Sequence, residues 1–201
     1  AAAFSMTYVT AWHQVITRGD LRPGEDVLVH SAGSGVSIAA MQIAKHTGAR
    51  VFATSSSDKK CEQALEYGAD HAINYRDQDV LEEIKRLTDK RGVDMVVDNI
   101  GEDTFDQSIR CLVRGGRLTT CGGTSGYNIS TSLAHVFHKE LSIIGSNYGL
   151  INEARTLNKL LDQGVFDIVI DRVIPLEDAA EGHRVLEERE NFGKVVLKPD
   201  F

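Results

Sequence analysis

The sequence predicts an α/β protein in which helices cover both faces of a parallel β-sheet. Short apolar segments alternate with segments whose apolar residues recur at helical spacing, and this alternation runs through most of the chain. The apolar segments contain few polar residues, which indicates strands buried on both faces, as in parallel sheets. Because crossovers between parallel strands are right-handed, the alternation predicts a doubly wound sheet.

Glycine, proline and short polar residues mark the ends of the predicted elements. Gly19 and Gly68 end helices, Arg22-Pro23-Gly24-Glu25 forms a turn, and Ser57 or Asp58 caps a helix. The predicted strands are 26–31, 50–54, 71–75, 93–98, 116–121 and 141–145. The predicted helices are 5–17, 35–47, 59–67, 77–88 and 104–113, and residues 124–138 are expected to hold only a loop with one short turn at most.

Composition excludes several classes of function. The formal net charge of −7 argues against nucleic acid as a partner, because phosphate binding needs a surplus of Lys and Arg. No apolar run approaches the roughly 20 residues that span a membrane, and the first residues lack the basic flank of a signal peptide. The three cysteines form no C-x-x-C pair, so we expect no structural zinc lobe, and their odd number indicates a reducing, cytoplasmic setting.

A turn of small residues follows the first predicted strand. Within Val27–Ser37, the glycine positions of a G-x-G-x-x-G pattern are occupied by Ala32, Ser34 and Ser37, with two glycines beside them. A strand, a tight turn and a helix in this order bring backbone N–H groups and the helix dipole to bear on an anion. The turn therefore predicts a site for the diphosphate of a dinucleotide, the alternatives being another ligand or a purely structural turn.

The end of the second predicted strand favours NADPH, although NADH remains possible. Sites for NAD place an acidic residue about 20 residues after the turn, on the ribose 2′-hydroxyl. Residues 53–57 hold hydroxyls and no acid there, and Lys59, Lys60 and Arg76 could supply positive charge to a 2′-phosphate. Two alternatives remain open: the lysines could merely solvate a helix start, and Asp58 could be the missing acid.

The pattern changes after Gly149. It predicts a helix at 153–162, a strand at 171–175, a helix at 176–188 and a strand at 194–198. These residues are too few for an independent substrate domain. We expect a dinucleotide-binding domain at 1–165 and, at 166–201, the C-terminal part of a catalytic domain whose main body precedes Ala1.

Several motifs together resemble the medium-chain dehydrogenase/reductase superfamily, in its branch of quinone oxidoreductases and zinc-type alcohol dehydrogenases. They are 1–13, 22–29, 67–75, Gly115-Gly116-Arg117 and 192–197, in matching order and spacing. The resemblance implies a Rossmann domain, with the C-terminal residues belonging to a barrel-like, GroES-like catalytic domain. It also implies a homodimer or tetramer formed through the sixth strand, to which Ile143 and Ile144 give an apolar character.

The resemblance implies a set of cofactor contacts. Ser34, Gly35, Val36 and Ser37 would hold the diphosphate; Ser55, Ser56 and Lys60 would meet the 2′-phosphate; Tyr75 would lie near the adenine; and Thr10, Asn99, Gly122, Gly123 and Thr124 would line the nicotinamide half. For Tyr75 a strand-edge position, and for Asn99 and Thr124 plain turn chemistry, remain open. No catalytic residue can be assigned.

The resemblance also bears on zinc. The zinc branch places one cysteine ligand near residues 4–8, where this chain has Met6, a poor zinc ligand that we expect in the core of the first helix. Zinc is therefore not expected in this chain. His135 and His138 lack a third ligand nearby, and His30 is expected to be a residue at the end of a strand.

The predicted function is an oxidoreductase that transfers hydride between NADPH and a small-molecule quinone, enone or carbonyl/alcohol substrate. Three alternatives are a zinc-dependent alcohol dehydrogenase with its metal ligands outside this chain, a non-catalytic NADPH-binding module, and an S-adenosylmethionine methyltransferase. The last would place acids in the first strand and at the end of the second, where Val27–Ser31 and Ala53–Ser56 have none.

Overall fold

The computed structural model describes residues 2–200 and contains the predicted parallel sheet, with six strands in the order β3-β2-β1-β4-β5-β6. The strands are β1 (Asp26–Val29), β2 (Arg50–Ser55), β3 (His71–Asn74), β4 (Val93–Val97), β5 (Leu112–Thr120) and β6 (Ser142–Gly145). This order and the parallel pairing are those of a doubly wound dinucleotide-binding sheet, so the predicted fold class is confirmed.

Helices connect the strands and cover both faces. They are α1 (Ser5–Trp12), α2 (Gly35–Thr47), α3 (Asp58–Glu66), α4 (Val80–Leu87), α5 (Phe105–Cys111), α6 (Leu133–His138), α7 (Ile151–Asp162) and α8 (Ala179–Glu187). A π-helix (His13–Arg18) continues α1, and a short 3₁₀ helix (Leu176–Asp178) precedes α8. Two further strands, β7 (Ile170–Pro175) and β8 (Lys194–Lys198), form a separate two-stranded parallel sheet.

The central strand β1 shows why the strands are apolar throughout. Val27 and Val29 point into a core formed with α1 and α2, whereas Leu28 points into a second core on the opposite face, with Ile84 of α4 and Ile109 of α5. Successive side chains of a strand face opposite sides, so a sheet covered on both faces needs apolar residues at every position. All four residues of β1 are accordingly buried.

Two expectations about local structure were wrong, and the first helix, although present as predicted, changes geometry along its length. Residues 133–138 form α6 inside the predicted loop, although none of its residues is buried, so periodicity gave little signal. β5 starts at Leu112, directly after α5, rather than at Gly116. The first helix changes to π geometry at His13, where the N–H of Gly19 donates to the carbonyl of Gln14 over five residues.

Met6 does not lie in the core, as had been expected. Its relative exposure is 63%, and the buried residues of α1 are Thr7, Tyr8, Thr10 and Ala11. This face is buried because α1 packs against α2. The buried hydroxyl of Thr7 is satisfied there because it donates to the neighbouring carbonyls of Ala3 and Phe4.

A buried chain of polar side chains connects four elements beneath the C-terminal edge of the sheet. Ser108 Oγ donates to Asp98 Oδ2 at 2.6 Å, while His30 Nε2 lies 2.9 Å from Ser108 Oγ and His30 Nδ1 lies 3.0 Å from Thr54 Oγ1. Asp98 also accepts hydrogen bonds from the backbone N–H groups of Ile100 and Gly101. The chain joins the ends of β1, β2 and β4 to α5.

The hydrogen bonds determine the tautomer of His30. The single hydroxyl proton of Ser108 goes to Asp98, so Ser108 must accept the proton of His30 Nε2. Neutral His30 then accepts at Nδ1 from the hydroxyl of Thr54. Burial lowers the pKa of His30, and the negative charge of Asp98 opposes this shift in part. His30 is thus at the end of a strand, as expected, and it is neutral near pH 7.

We predict that His30 makes stability fall on acidification. Below about pH 6.5 the unfolded chain binds a proton at His30 that the folded protein excludes, so the free energy of unfolding decreases until the lower folded pKa is reached. His30→Gln should flatten this dependence in urea unfolding measured between about pH 7 and about pH 5. His183→Gln, at an exposed histidine, is the matched control. An unchanged slope in His30→Gln would contradict the assignment.

Candidate functional site

A cleft of about 600 Å³ lies at the C-terminal edge of the sheet, where the chain leaves β1 and β4 toward opposite sides. Its walls come from the segments that follow β1, β2, β3, β4 and β5, and from the turn between α8 and β8. Six of the predicted cofactor residues line it together: Ser34, Ser55, Ser56, Lys60, Tyr75 and Thr124.

The turn after β1 lines this cleft with Gly33 and Ser34, and it contains free backbone donors directly after Ser34. Ser34 is the N-cap of α2: its Oγ accepts from the N–H of Ser37 at 3.2 Å, and the Ser37 hydroxyl donates to the carbonyl of His30 at 2.7 Å. Among residues 2–200, the N–H groups of Gly35 and Val36 have no hydrogen-bond acceptor. The first turn of a helix with free N–H groups is a site for an anion.

The two glycines of this turn are required by close packing behind it. A Cβ on Gly33 would lie 3.3 Å from the ring of Phe192, and one on Gly35 would lie 3.0 Å from Thr7 Cγ2 and 2.7 Å from Lys194 Cδ. The N–H of Gly193 also donates to the carbonyl of Gly33 at 2.9 Å. The turn is therefore supported by α1 and by the C-terminal segment. Ser37 stabilises the turn from within, because its side chain donates to the carbonyl of His30.

Positive charge gathers at the end of β2. Lys60 Nζ donates to the carbonyl of Arg189 at 2.5 Å, and both residues line the cleft. Burial lowers the pKa of Lys60; Asp171 opposes this, and the charges of Arg76 and Arg189 add to it. An anion bound near Lys60 would offset the repulsion that these like charges exert on it.

Arg189 was not anticipated from the sequence. It lies 129 residues from Lys60 along the chain, and the run around it reads as a solvated helix end. Its left-handed backbone conformation, with φ of 54°, is the one local signal of a constrained position, and only the structure reveals it.

The carboxylate alternative for this end of the cleft is disfavoured by geometry. Ser57, one of the two predicted caps, is the N-cap of α3 and accepts from the N–H of Lys60 at 3.4 Å. Asp58 lies in the first turn of α3, where its carboxylate accepts from Asn74 Nδ2 at 2.9 Å, and it does not line the cleft.

The predicted nicotinamide residues are less closely gathered. Thr124 lines the cleft and its N–H donates to the carbonyl of Asn99 at 3.2 Å. A Cβ on Gly122 would meet open space, whereas one on Gly123 would lie 2.7 Å from the carbonyl of Gly126. Thr10, Asn99, Gly122 and Gly123 are outside the set that lines the cavity, as are Gly35, Val36 and Ser37 in the turn.

A second cavity, of about 680 Å³, lies at the opposite edge of the sheet. Its charged side chains are already paired: Arg50 donates to Asp26 at 2.8 and 2.6 Å, and Arg91 donates to Asp94 at 3.0 and 2.5 Å. It offers no comparable unsatisfied donors, so the cleft at the C-terminal edge is the candidate site.

Two searches of the described part of the chain concern metal clusters and membrane-spanning helices. Within residues 2–200, no three His, Cys, Asp or Glu side chains are placed to share a metal ion. Over the same residues, none of the helices combines the length and apolar character needed to cross a bilayer.

Comparison with known proteins identifies the family to which the chain is related. Residues 35–163 match the family model described as zinc-binding dehydrogenase. The chain is 31% identical to quinone oxidoreductase 1 of Escherichia coli, covering 99% of this chain and 64% of that protein. It is also 31% identical to a 2-haloacrylate reductase of a Burkholderia species, covering 98% of this chain and 62% of the relative. The chain thus spans less than two thirds of these relatives.

Solved structures of similar proteins have the same fold as this chain. An NAD-dependent alcohol dehydrogenase is 46% identical with a TM-score of 0.93, over 98% of this chain and 57% of the other. The Escherichia coli quinone oxidoreductase complexed with NADPH is 30% identical with a TM-score of 0.89, over 99% and 64% of the two chains. With the strand order, the cleft and the family match taken together, the chain belongs to the medium-chain dehydrogenase/reductase superfamily.

Proposed function

We propose that the protein is an NADPH-preferring oxidoreductase that exchanges hydride with a quinone, enone or carbonyl/alcohol substrate. The observation that carries the proposal is the presence of two candidate anion sites beside one cleft, whose lining includes Ser34 next to the first site and Lys60 and Arg189 of the second. One is the free N–H pair of Gly35 and Val36, and the other is the cluster of Lys60, Arg76 and Arg189. A dinucleotide with a 2′-phosphate has anions at both places, whereas NADH has only the diphosphate.

Each half of the cofactor then has its own contacts. The turn after β1 would bind the diphosphate, Ser55, Ser56 and Lys60 with Arg189 would bind the 2′-phosphate, and Tyr75 would pack near the adenine. Thr10, Asn99, Gly122, Gly123 and Thr124 would surround the nicotinamide. When bound, the cofactor supplies the hydride, and this chain orients it and excludes water.

β7 and β8 form a sheet of only two strands. α8 packs against this sheet, but Ile170, Val173 and Leu197 on the two strands remain exposed, as expected of a sheet that further strands would complete. We propose that residues 166–201 are the C-terminal part of a catalytic domain and that residues outside this chain complete it. That domain would provide the substrate pocket and the proton donor.

The cysteines bear on the cellular compartment. Cys61, Cys111 and Cys121 are all free thiols, and burial raises the pKa of each. Unpaired thiols fit a reducing compartment, so we place the protein in the cytoplasm.

The coenzyme preference can be tested with a matched pair of variants. Lys60→Glu puts negative charge beside the 2′-phosphate and should weaken NADPH binding by about 100-fold while changing NADH binding little. Lys59→Glu makes the same charge change at an exposed neighbour outside the cleft and should leave both affinities within about twofold. Titration of the full-length protein with both nucleotides measures this.

Two results would contradict the preference. Equal loss of NADPH and NADH affinity in Lys60→Glu would show that Lys60 does not read the 2′-phosphate. Tighter binding of NADH than NADPH by the unchanged protein would instead favour the coenzyme named for the NAD-dependent relative.

The alternative of a zinc-dependent alcohol dehydrogenase is supported by the name of the matching family. We propose that no zinc ligand comes from this chain, because Met6 stands near the place of the cysteine ligand in the zinc branch. Full-length protein treated with a chelator should keep its hydride-transfer rate within about twofold. Loss of activity that added Zn²⁺ restores would establish the alternative instead.

We further propose that β6 forms the contact of a homodimer, or of a tetramer built from dimers. β6 is the last strand of the sheet, and Ile143 on it is exposed, as is Phe137 on the neighbouring α6. Ile143→Lys should shift the full-length protein to a smaller species in sedimentation velocity, whereas Leu176→Lys, at another exposed apolar residue, should not. A strictly monomeric unchanged protein at high concentration would refute the contact.

A further inference from the structure

We propose that Gln14 is a positioning residue for the nicotinamide half of the site, acting through Asn99. This inference depends on the proposed function, because it assumes that a nicotinamide lies against the segments after β4 and β5. Nothing in the sequence patterns singles out Gln14, which reads as one polar residue within a helix.

The two side-chain amides form a reciprocal pair. Gln14 Nε2 donates to Asn99 Oδ1 at 2.9 Å, and Asn99 Nδ2 donates back to Gln14 Oε1 at 3.2 Å. Gln14 is fully buried, with 0% exposure, so its amide has no water to bind if this pair is lost. A buried amide of this kind is tolerated because both of its ends are satisfied.

Backbone groups fix the orientation of both amides. The atom of Asn99 that faces the N–H of Cys121 at 2.8 Å must be its oxygen, because a backbone N–H can only donate. The atom of Gln14 that faces the carbonyl of Thr119 at 3.0 Å must be its nitrogen, because a carbonyl can only accept. Neither amide can flip without placing like groups against each other.

The pair thereby joins two segments that border the cleft. Asn99 follows β4, and Thr119 and Cys121 are at the end of β5, so Gln14 contacts both ends from beneath. The carbonyl of Asn99 accepts from the N–H of Thr124, which lines the cleft. The position of Gly122, between these contacts, is thus set by Gln14 from a place that does not line the cavity.

Gln14 makes this contact from the π-helix. The N–H of Gly19 donates to the carbonyl of Gln14 within this helix, and Gln14 and Val15 are its buried residues. π-helical turns are rare and occur frequently at functional sites. A purely apolar side chain could fill the same space, so the amide contributes hydrogen-bond direction rather than burial.

The test compares two ligands on the full-length protein. 2′,5′-ADP carries the adenosine half with its 2′-phosphate and no nicotinamide, and NADPH carries both. Gln14→Met leaves Asn99 Nδ2 without an acceptor and should weaken NADPH by about tenfold while 2′,5′-ADP changes less than about twofold. The fluorescence increase of the bound dihydronicotinamide should also diminish. Gln163→Met makes the same replacement at an exposed glutamine and should change neither ligand.

A second variant keeps the shape of the side chain. Gln14→Glu places a carboxylate against two acceptors, the carbonyl of Thr119 and Asn99 Oδ1, so NADPH binding at about pH 8 should be weakened relative to the unchanged protein. Protonation of this glutamate restores one donor, so the deficit should shrink as the pH falls. A role in packing alone would give no such recovery.

Three results would overturn the inference. They are unchanged NADPH binding by folded Gln14→Met, equal weakening of both ligands, and a pH-independent deficit in Gln14→Glu. If the unchanged protein binds neither ligand, the proposed function fails and the role of Gln14 fails with it. Binding of both by the unchanged protein, followed by any of the first three results, removes this inference alone.

Discussion

The cleft exists because β1 is the strand from which the sheet extends in both directions. One crossover leads from β1 through α2 to β2, while β4 pairs with the other side of β1, so the segments after β1 and β4 diverge. No short connection can cover that gap, and every strand on either side ends at the same edge. Parallel pairing therefore produces both the cavity and the row of loops that could select its ligand.

Polar side chains under an apolar sheet hold those loops in place. His30 with Ser108 and Asp98 joins the floor of the cleft to α5, and Gln14 with Asn99 joins the ends of β4 and β5. Both networks are buried, so each hydrogen bond satisfies a polar group that water does not reach. The same physics explains why the turn after β1 can leave two N–H groups free: Gly35 and Val36 are only half-buried and follow Ser34, which lines the cleft.

Sequence reasoning succeeded where the signal was local. Strand alternation predicted the sheet, and the small residues around Ser34 predicted the turn at the head of α2, because periodicity and capping depend on neighbours in the chain. Arg189 and Gln14 could not be identified from the sequence, because their partners are distant along the chain and are brought close only by folding. Met6 was wrongly expected in the core because its apolar side chain was taken as a guide, whereas the buried residues of α1 are Thr7, Tyr8, Thr10 and Ala11.

The proposed function depends on one placement: a phosphorylated dinucleotide with its diphosphate at the head of α2 and its 2′-phosphate beside Lys60. A crystal structure of the full-length protein with NADPH tests this most directly. The account predicts diphosphate oxygens within hydrogen-bond distance of the N–H groups of Gly35 and Val36, and the 2′-phosphate within reach of Lys60 and Arg189. A cofactor bound elsewhere, or a 2′-phosphate pointing into solvent away from Lys60, would contradict it.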